Sequence, residues 1–211
     1  MTTEKLDIIQ TIGDGVRYGL KNFLPLLLTM LLYLVTIWIP WLNVGTTIGL
    51  YKAVIRVGRG ESVDPAAIFD KKNFEGLSGF FLLFGLLYIG IIVATCFMII
   101  PGIVMGIAWG FSLYFLIDKN VSPLKSLQLS YDATYGNKWR IFAVELLASI
   151  LMFIIIGVLA LIPKVGFILV ILATVTCSAI VVAIEGVMYD FFSKKADAIL
   201  AERRVDVKPE A

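Results

Sequence analysis

Three long runs of the sequence contain no charged residue, and they constrain the fold more than any other feature. The runs cover residues 23–42, 77–116 and 165–184. A helix needs about 20 apolar residues to cross the roughly 30 Å hydrocarbon core of a bilayer, and each run reaches that length. The chain is 59% hydrophobic and only 16% charged, whereas soluble domains carry about 25% charged residues. The sequence therefore predicts an all-α integral membrane protein.

A short motif recurs at the end of each apolar stretch and indicates an internal repeat. Ile-Pro occurs at 39–40, 100–101 and 162–163, and a glycine follows shortly after each pair. Proline cannot continue a helix with full hydrogen bonding, and glycine permits a tight reversal. Each motif is therefore predicted to form the tip of a helical hairpin. Chance coincidence among ordinary membrane turns is the alternative.

The repeat predicts a single domain over residues 1–211 with six transmembrane helices in three hairpins. The predicted helix pairs are 23–42 with 44–57, 77–100 with 102–117, and 141–162 with 166–192. With their cytoplasmic connector helices, the hairpins cover about 17–74, 75–136 and 137–199, and 200–211 forms a flexible cytoplasmic tail.

The distribution of basic residues predicts the orientation. Of the 18 Lys and Arg residues, only Lys164 lies in a predicted hairpin tip. Because cytoplasmic segments hold the excess of Lys and Arg, both termini are predicted to be cytoplasmic. Trp38 and Trp41 would then mark the outer interface, and Trp139 the inner interface.

One connector has the pattern of an amphipathic helix at the membrane surface. Ser122 is predicted to cap its start, Pro123 to occupy its first position and Gly136 to end it. Its predicted apolar side carries Leu124, Leu127 and Tyr131. The helix is expected to lie along the cytoplasmic interface; docking to a cytoplasmic partner is the alternative.

The sequence lacks the residue patterns of known catalytic sites. It contains no histidine, and its two cysteines, Cys96 and Cys177, cannot form a zinc cluster. Their predicted depths in the membrane differ by about 10 Å, which is too far for a disulfide. No phosphate-binding or nucleophile motif occurs. The sequence therefore predicts a protein that is not an enzyme and has no cofactor or metal.

Four charged residues fall inside the predicted spans and are candidates for cavity or pore residues: Lys52, Arg56, Glu145 and Glu185. Charges in a span usually face the bundle interior or water and have a partner. Depths counted at about 1.5 Å per residue predict that Arg56 and Glu145 form a pair in a cavity open to the cytoplasm. Snorkelling of the side chains to the interface is the alternative.

Glycines and surface charges suggest further contacts. Gly102, Gly106 and Gly110 form two overlapping GxxxG units, which predict close helix packing either within one chain or between copies. The predicted cytoplasmic surface carries basic residues that would attract anionic lipid: Arg59, Lys71, Lys72, Lys194 and Lys195.

Residues 100–142 resemble uncharacterised bacterial polytopic membrane families related to the membrane domain of glycerophosphodiester phosphodiesterases. The shared features are Pro101-Gly102, Asp118, Pro123 with Leu127 and Ser130, and Gly136 with Trp139. The resemblance implies the six-span layout and a bacterial inner membrane. The phosphodiesterase domain is missing from these residues, so the resemblance implies no enzymatic activity.

Two functions follow as hypotheses. The first is a channel or transporter with a charged cavity open to the cytoplasm, acting as a homo-oligomer. The alternative is a non-transporting membrane module that binds anionic lipid or assists a partner membrane protein. The expected partners are membrane lipids and further copies of the chain, and no nucleic acid. A membrane enzyme has the least support. The transported species is not readable from the sequence.

Overall fold

The computed structural model describes residues 4–75, 77–162 and 166–206, and all of its regular structure over these residues is helical. The helices are α1 (Ile8–Lys21), α2 (Phe23–Thr36), α3 (Pro40–Gly58), α4 (Leu77–Phe97), α5 (Ile99–Trp109), α6 (Ser112–Lys119), α7 (Pro123–Thr134), α8 (Lys138–Ala160) and α9 (Gly166–Asp206). Two short 3-10 helices, Pro65–Phe69 and Lys71–Phe74, join α3 to α4. The predicted all-α class is confirmed.

The described residues contain four helical segments that are long and apolar enough to cross a membrane. They are Leu77–Phe97, Ile99–Lys119, Lys138–Ala160 and Phe167–Glu202. The second of these consists of α5 and α6 together. Helices α1 and α2 would add a fifth if they formed one span, but they meet at an angle of 80°. The structure therefore offers four or five candidate spans, fewer than the six predicted.

The predicted hairpin tips agree only partly with the structure. The first Ile-Pro motif does lie at a reversal, since α2 ends at Thr36 and α3 begins at Pro40. The second predicted tip is misplaced: the break between α4 and α5 is at Met98, and Pro101 lies in the first turn of α5. Proline is tolerated there because the first N–H groups of a helix have no intrahelical acceptor. Part of the third tip, 163–165, lies outside the described residues.

Helix α3 runs across one end of the bundle instead of alongside the spans. Its C-terminal neighbour Arg59 bonds Asp118, at the end of α6. Near its other end, Gly45 packs so tightly on the ring of Phe74 that no Cβ would fit, and Phe74 lies just before the start of α4. Both ends of a helix about 28 Å long thus reach the same end of the bundle. This end, where α4 begins and α6 ends, is called the inner end below; the other is the outer end.

Helix α9 is the centre around which the inner end assembles. Glycines allow two helices to cross it closely: Gly15 of α1 contacts Ile184, and the backbone of Gly58 in α3 lies against that of Gly186. A side chain at either crossing glycine would collide with α9. With 41 residues, α9 is about 60 Å long, so it extends well beyond a bilayer core of about 30 Å.

The connector helix α7 is part of the bundle core. It begins at Pro123 as predicted, with Ser122 in an extended conformation, but the Ser122 side chain makes no capping hydrogen bond. The predicted apolar side is also wrong at two of three positions, since Leu124 and Tyr131 are exposed and only Leu127 is buried. The buried face instead carries Ser126, Leu129, Ser130, Ala133 and Thr134. Its small residues let α7 approach the neighbouring helices closely.

Candidate functional site

One wall of the candidate site is a transmembrane segment, Ile99–Lys119, whose regular helix is interrupted at Gly110 and Phe111. Helix α5 ends at Trp109 and α6 begins at Ser112, so the regular hydrogen-bond ladder is interrupted between them. The carbonyl of Ala108 instead accepts hydrogen bonds from the hydroxyls of Ser130, at 2.8 Å, and Thr134, at 3.4 Å. A backbone carbonyl in a membrane needs such a partner, because lipid offers none. The polar face of α7 therefore stabilises the break.

Two carboxyl groups face a cavity beside this break. The cavity has a volume of about 240 Å³ and lies between α5, α8 and α9. Glu145 of α8 and Glu185 of α9 line it and interact electrostatically. The remaining lining residues are Ile103, Gly106, Ile107, Gly110, Phe111 and Ile141, so no Lys or Arg belongs to the described lining. This space is called the acidic cavity.

Two of the three GxxxG glycines keep this cavity open. Gly102 is tightly packed on Thr95 of α4 and holds α4 and α5 together. A Cβ at Gly106 would meet nothing within 4 Å, and one at Gly110 would meet only backbone atoms of its own helix. Within this chain only Gly102 packs closely against another helix, and packing of Gly106 and Gly110 between copies stays a prediction. The other two leave space at the helix break.

Tyrosines connect the acidic cavity to an ionic cluster at the inner end. Tyr114 interacts with the Glu185 carboxyl, and its ring stacks on Tyr189 with centroids 5.1 Å apart. The Tyr189 hydroxyl donates a hydrogen bond of 2.8 Å to Asp118, which accepts another of 2.7 Å from Arg59. Sequence analysis missed both tyrosines, because Tyr114 lies inside the uncharged run 77–116 and no recognised motif marks Tyr189, between Glu185 and Asp190.

A second cavity lies at the inner end, bounded by α2, α3, α6 and the first 3-10 helix. It has a volume of about 270 Å³, and its charged lining residues are Lys52, Arg56, Arg59, Asp64, Asp70 and Asp118. The Lys52 ammonium donates a hydrogen bond of 2.7 Å to the side chain of Asn73. We call this space the mixed cavity because it carries both signs of charge.

The structure separates the four charges that the sequence grouped together. Lys52 and Arg56 line the mixed cavity, whereas Glu145 and Glu185 line the acidic cavity. The predicted pair between Arg56 and Glu145 is absent from the ion pairs of the described residues. The depth count failed because it treated α3 as a span parallel to α8, and α3 crosses the inner end.

Two of the five residues of the predicted basic surface form ion pairs. Arg59 pairs with Asp118 at 2.7 Å, and Lys194 pairs with Asp190 at 2.7 Å. Partial burial opposes the charge of Arg59, but the hydrogen bond and negative charge of Asp118 outweigh it and raise the pKa of the guanidinium above its ordinary value. Lys195 donates to the carbonyl of Tyr135. The remaining members of the predicted surface, Lys71 and Lys72, are exposed.

The two cysteines are free thiols: Cys96 is exposed and Cys177 is buried. Within residues 4–75, 77–162 and 166–206, no group of three or more His, Cys, Asp or Glu side chains is arranged to hold a metal ion.

Comparison of the chain with known protein families, curated proteins and solved structures gives no match. The resemblance to membrane domains related to glycerophosphodiester phosphodiesterases therefore stays a prediction, and the site must be interpreted from its own chemistry.

Proposed function

We propose that the protein is a membrane transporter whose substrate site is the acidic cavity and whose substrate is a cation. One observation carries this proposal: Glu145 and Glu185 face one cavity at the break of a spanning segment, without a basic residue in the described lining. Ionisable residues in membrane spans are costly and commonly belong to substrate or ion pathways. Two neighbouring carboxylates repel each other in a medium of low dielectric, so a cation between them relieves the repulsion.

The helix break favours a carrier over an open channel. Many transporters bind their substrates at discontinuous helices near the interface between two structural units. Here the break separates α5 from α6, and the acidic cavity lies between the α4–α6 unit and the α8–α9 hairpin. The hydroxyls of Ser130 and Thr134 satisfy the freed carbonyl without a continuous helix, so small movements of α6 need not break the α5 ladder.

The ligand set favours a proton or a singly charged cation. Ca²⁺ takes six to eight oxygen ligands, and Mg²⁺ requires near-octahedral coordination. The described lining of the acidic cavity provides two carboxyls, one of which, that of Glu185, also interacts with Tyr114. This set suits a proton shared by the carboxyls, or a monovalent or organic cation that they neutralise.

A specific arrangement in the membrane accompanies the proposal. The four spans are α4, α5 with α6, α8, and α9, while α1 and the α2–α3 hairpin lie at the cytoplasmic face of a bacterial inner membrane. Both termini are then cytoplasmic, as the basic residues predict. The six-span arrangement stays an alternative prediction, and the first hairpin tip distinguishes the two. A cysteine at Trp41, in a background without Cys96 and Cys177, should react with an impermeant thiol reagent from the outside only if there are six spans.

Flux measurements on the reconstituted protein test the transport proposal. Proteoliposomes would be given gradients of protons, Na⁺, K⁺ and a small organic ammonium ion, at both membrane polarities. We expect flux of at least one cation, and Glu185→Gln should reduce it by about tenfold or more, because one charge of the site is removed. Glu202→Gln is the matched control, since Glu202 is an exposed residue of the same helix.

No flux from well-folded protein with any of these cations would refute the transport proposal. An equal loss in the Glu185→Gln and Glu202→Gln variants would remove the acidic cavity as the site. Only the first of these results would favour the non-transporting alternative. Exposure of Lys71 and Lys72 favours the non-transporting alternative, because both could contact anionic lipid.

The homo-oligomer also stays a prediction, and Gly102 no longer supports it because it packs within its own chain.

A further inference from the structure

The mixed cavity has a wall ordered by buried hydrogen bonds, and it has no role in the proposed transport. The buried side chain of Asn73 organises its wall by donating hydrogen bonds to the carbonyls of Ala67, at 2.9 Å, and Ile68, at 3.1 Å, while accepting one from Lys52. Gly49 of α3 lies so close to Ile68 that a side chain there would collide with it. The position of Lys52 is therefore fixed by buried contacts.

Some charged side chains of this cavity already have ion-pair partners, and others keep unused hydrogen-bond donors. Arg59 and Asp118 form an ion pair and leave little net charge. Lys52 uses one of its three N–H donors on Asn73. The side chain of Arg56 makes no hydrogen bond or ion pair with any described residue. The cavity thus presents two positive groups with free donors.

Two carboxylates of the same cavity also keep acceptor capacity. Asp64 accepts one hydrogen bond from the backbone N–H of Ala66, and Asp70 accepts one from Lys72, each at 3.0 Å and each through a single oxygen. The second oxygen of each carboxylate is free of described hydrogen bonds, and both residues are exposed. Two positive and two negative groups therefore share one cavity of about 270 Å³.

A ligand that complements this lining carries a negative and a positive group close together. Arg and Lys bind phosphate oxygens through charge-assisted hydrogen bonds, and a primary ammonium donates such bonds to carboxylates. The apolar flank of α2 adds a second requirement. Thr29 lines the cavity, and the neighbouring Leu24, Leu28 and Leu31 of α2 are exposed. Their spacing puts the leucines on the side of α2 that faces away from Thr29, so α2 can lie with its leucines in lipid while the cavity opens beside the membrane.

We infer that the mixed cavity binds the headgroup of a phospholipid that joins a phosphodiester to a primary ammonium, as in phosphatidylethanolamine. Lys52 and Arg56 bind the phosphate, Asp64 and Asp70 bind the ammonium, and the acyl chains stay in the surrounding lipid. This lipid site is separate from the acidic cavity and does not depend on transport activity.

Lipid binding to the full-length protein tests the inference. Delipidated protein would be titrated with phosphatidylethanolamine, phosphatidylcholine and phosphatidylglycerol in mixed micelles, and bound lipid counted by native mass spectrometry. Phosphatidylethanolamine should bind about tenfold more tightly than phosphatidylcholine, because a quaternary ammonium cannot donate hydrogen bonds to the carboxylates. Soluble phosphoethanolamine should bind much more weakly than the lipid, because it lacks the acyl chains that hold the headgroup at the membrane surface beside the cavity.

Three variants locate the site. Arg56→Ala should weaken binding of phosphatidylethanolamine about tenfold, since a charge-assisted hydrogen bond to the phosphate is lost. Asp70→Asn should reduce the preference over phosphatidylcholine while keeping the helix cap, because Asn also caps. Arg17→Ala, at an exposed arginine outside the cavity, should leave binding unchanged.

Several results would overturn the inference. Equal affinity for the three lipids, or a preference for phosphatidylglycerol, would exclude a zwitterionic headgroup site. Equal affinity for phosphoethanolamine and the lipid would exclude the role of the acyl chains. Equal effects of Arg56→Ala and Arg17→Ala would mean that the lipid binds elsewhere.

Discussion

The inner and outer ends of the bundle differ in how they are held together. At the inner end, Phe115, Tyr189 and Phe192 are completely or almost completely buried, and Arg59 and Lys119 form ion pairs between elements. The outer halves of the spans instead expose large apolar side chains, such as Phe153 at 73%, Leu161 at 83% and Phe167 at 78%. The inner end, whose sequence contains both polar and apolar residues, therefore forms a packed core. The purely apolar stretches instead form the exposed surface of the outer halves.

This difference follows from the solvent of each region. Apolar side chains gain nothing from leaving lipid, because the acyl chains are as apolar as they are; helices in lipid associate through close packing and hydrogen bonds instead. Those interactions are concentrated where glycines and polar residues occur, at Gly58 and Gly186 and at Ser130. The acidic cavity lies where the packed inner end gives way to the lipid-exposed halves.

The largest effect on stability is expected for a substitution that disrupts the packing where α3 crosses α9 at the inner end. In Gly58→Ala, the added methyl group would collide with the backbone of Gly186, which cannot move aside as a flexible side chain could. We expect a loss of about 3 kcal/mol in the free energy of unfolding, measured by denaturant titration in mixed micelles.

Gly157→Ala is the matched control in the outer half of α8, where a Cβ meets nothing within 4 Å. It should leave stability unchanged or raise it by about 0.5–1 kcal/mol, since alanine favours helices more than glycine. Similar losses in both variants would show that the inner end is not the more tightly packed region.

The second effect concerns the ionic cluster at the inner end. Asp118→Ala removes the acceptor for both Arg59 and Tyr189. Arg59 would keep only its longer ion pair with Asp190, at 3.9 Å, and Tyr189 would lose its acceptor, which should lower the free energy of unfolding by about 2 kcal/mol. Lys194→Ala is the control, because the Lys194 side chain is 77% exposed and its pair with Asp190 should contribute less than about 1 kcal/mol. Equal effects would mean that the cluster has no more than the strength of a surface ion pair.

The third effect compares two serines of α7. Ser130→Ala leaves the carbonyl of Ala108 with only the longer hydrogen bond from Thr134, so it should cost about 1 kcal/mol and increase hydrogen exchange around the break. Ser122→Ala should change neither quantity, because the Ser122 side chain makes no cap. Faster exchange across α7 in Ser122→Ala would restore the capping role that the sequence predicted.

The helical class and the start of α7 at Pro123 could be predicted from sequence, because apolar length and proline position act locally. The α2–α3 reversal at Ile39-Pro40 was predictable for the same reason. The path of α3 was not predictable: its direction is set by the contacts of Gly45 and Gly58 with residues distant in sequence. The wrong path for α3 led to the predicted pair of Arg56 and Glu145, which the structure separates. The shared cavity of Glu145 and Glu185 was also unpredictable, since it depends on the break between α5 and α6 and on how two hairpins pack.

The smallest predicted effect tests the outer half. Phe153 is 73% exposed, so Phe153→Ala removes contacts with lipid and few contacts with protein. The hydrophobic effect does not drive this side chain into the bundle, because lipid surrounds it in the folded and the partly unfolded helices alike. We expect the free energy of unfolding to change by less than about 0.5 kcal/mol. Measurements at several protein-to-lipid ratios would add the decisive comparison. A loss that grows as the protein is concentrated in the bilayer would mean that Phe153 contacts a second copy of the chain, and that the outer half is an interface and not a lipid-exposed surface.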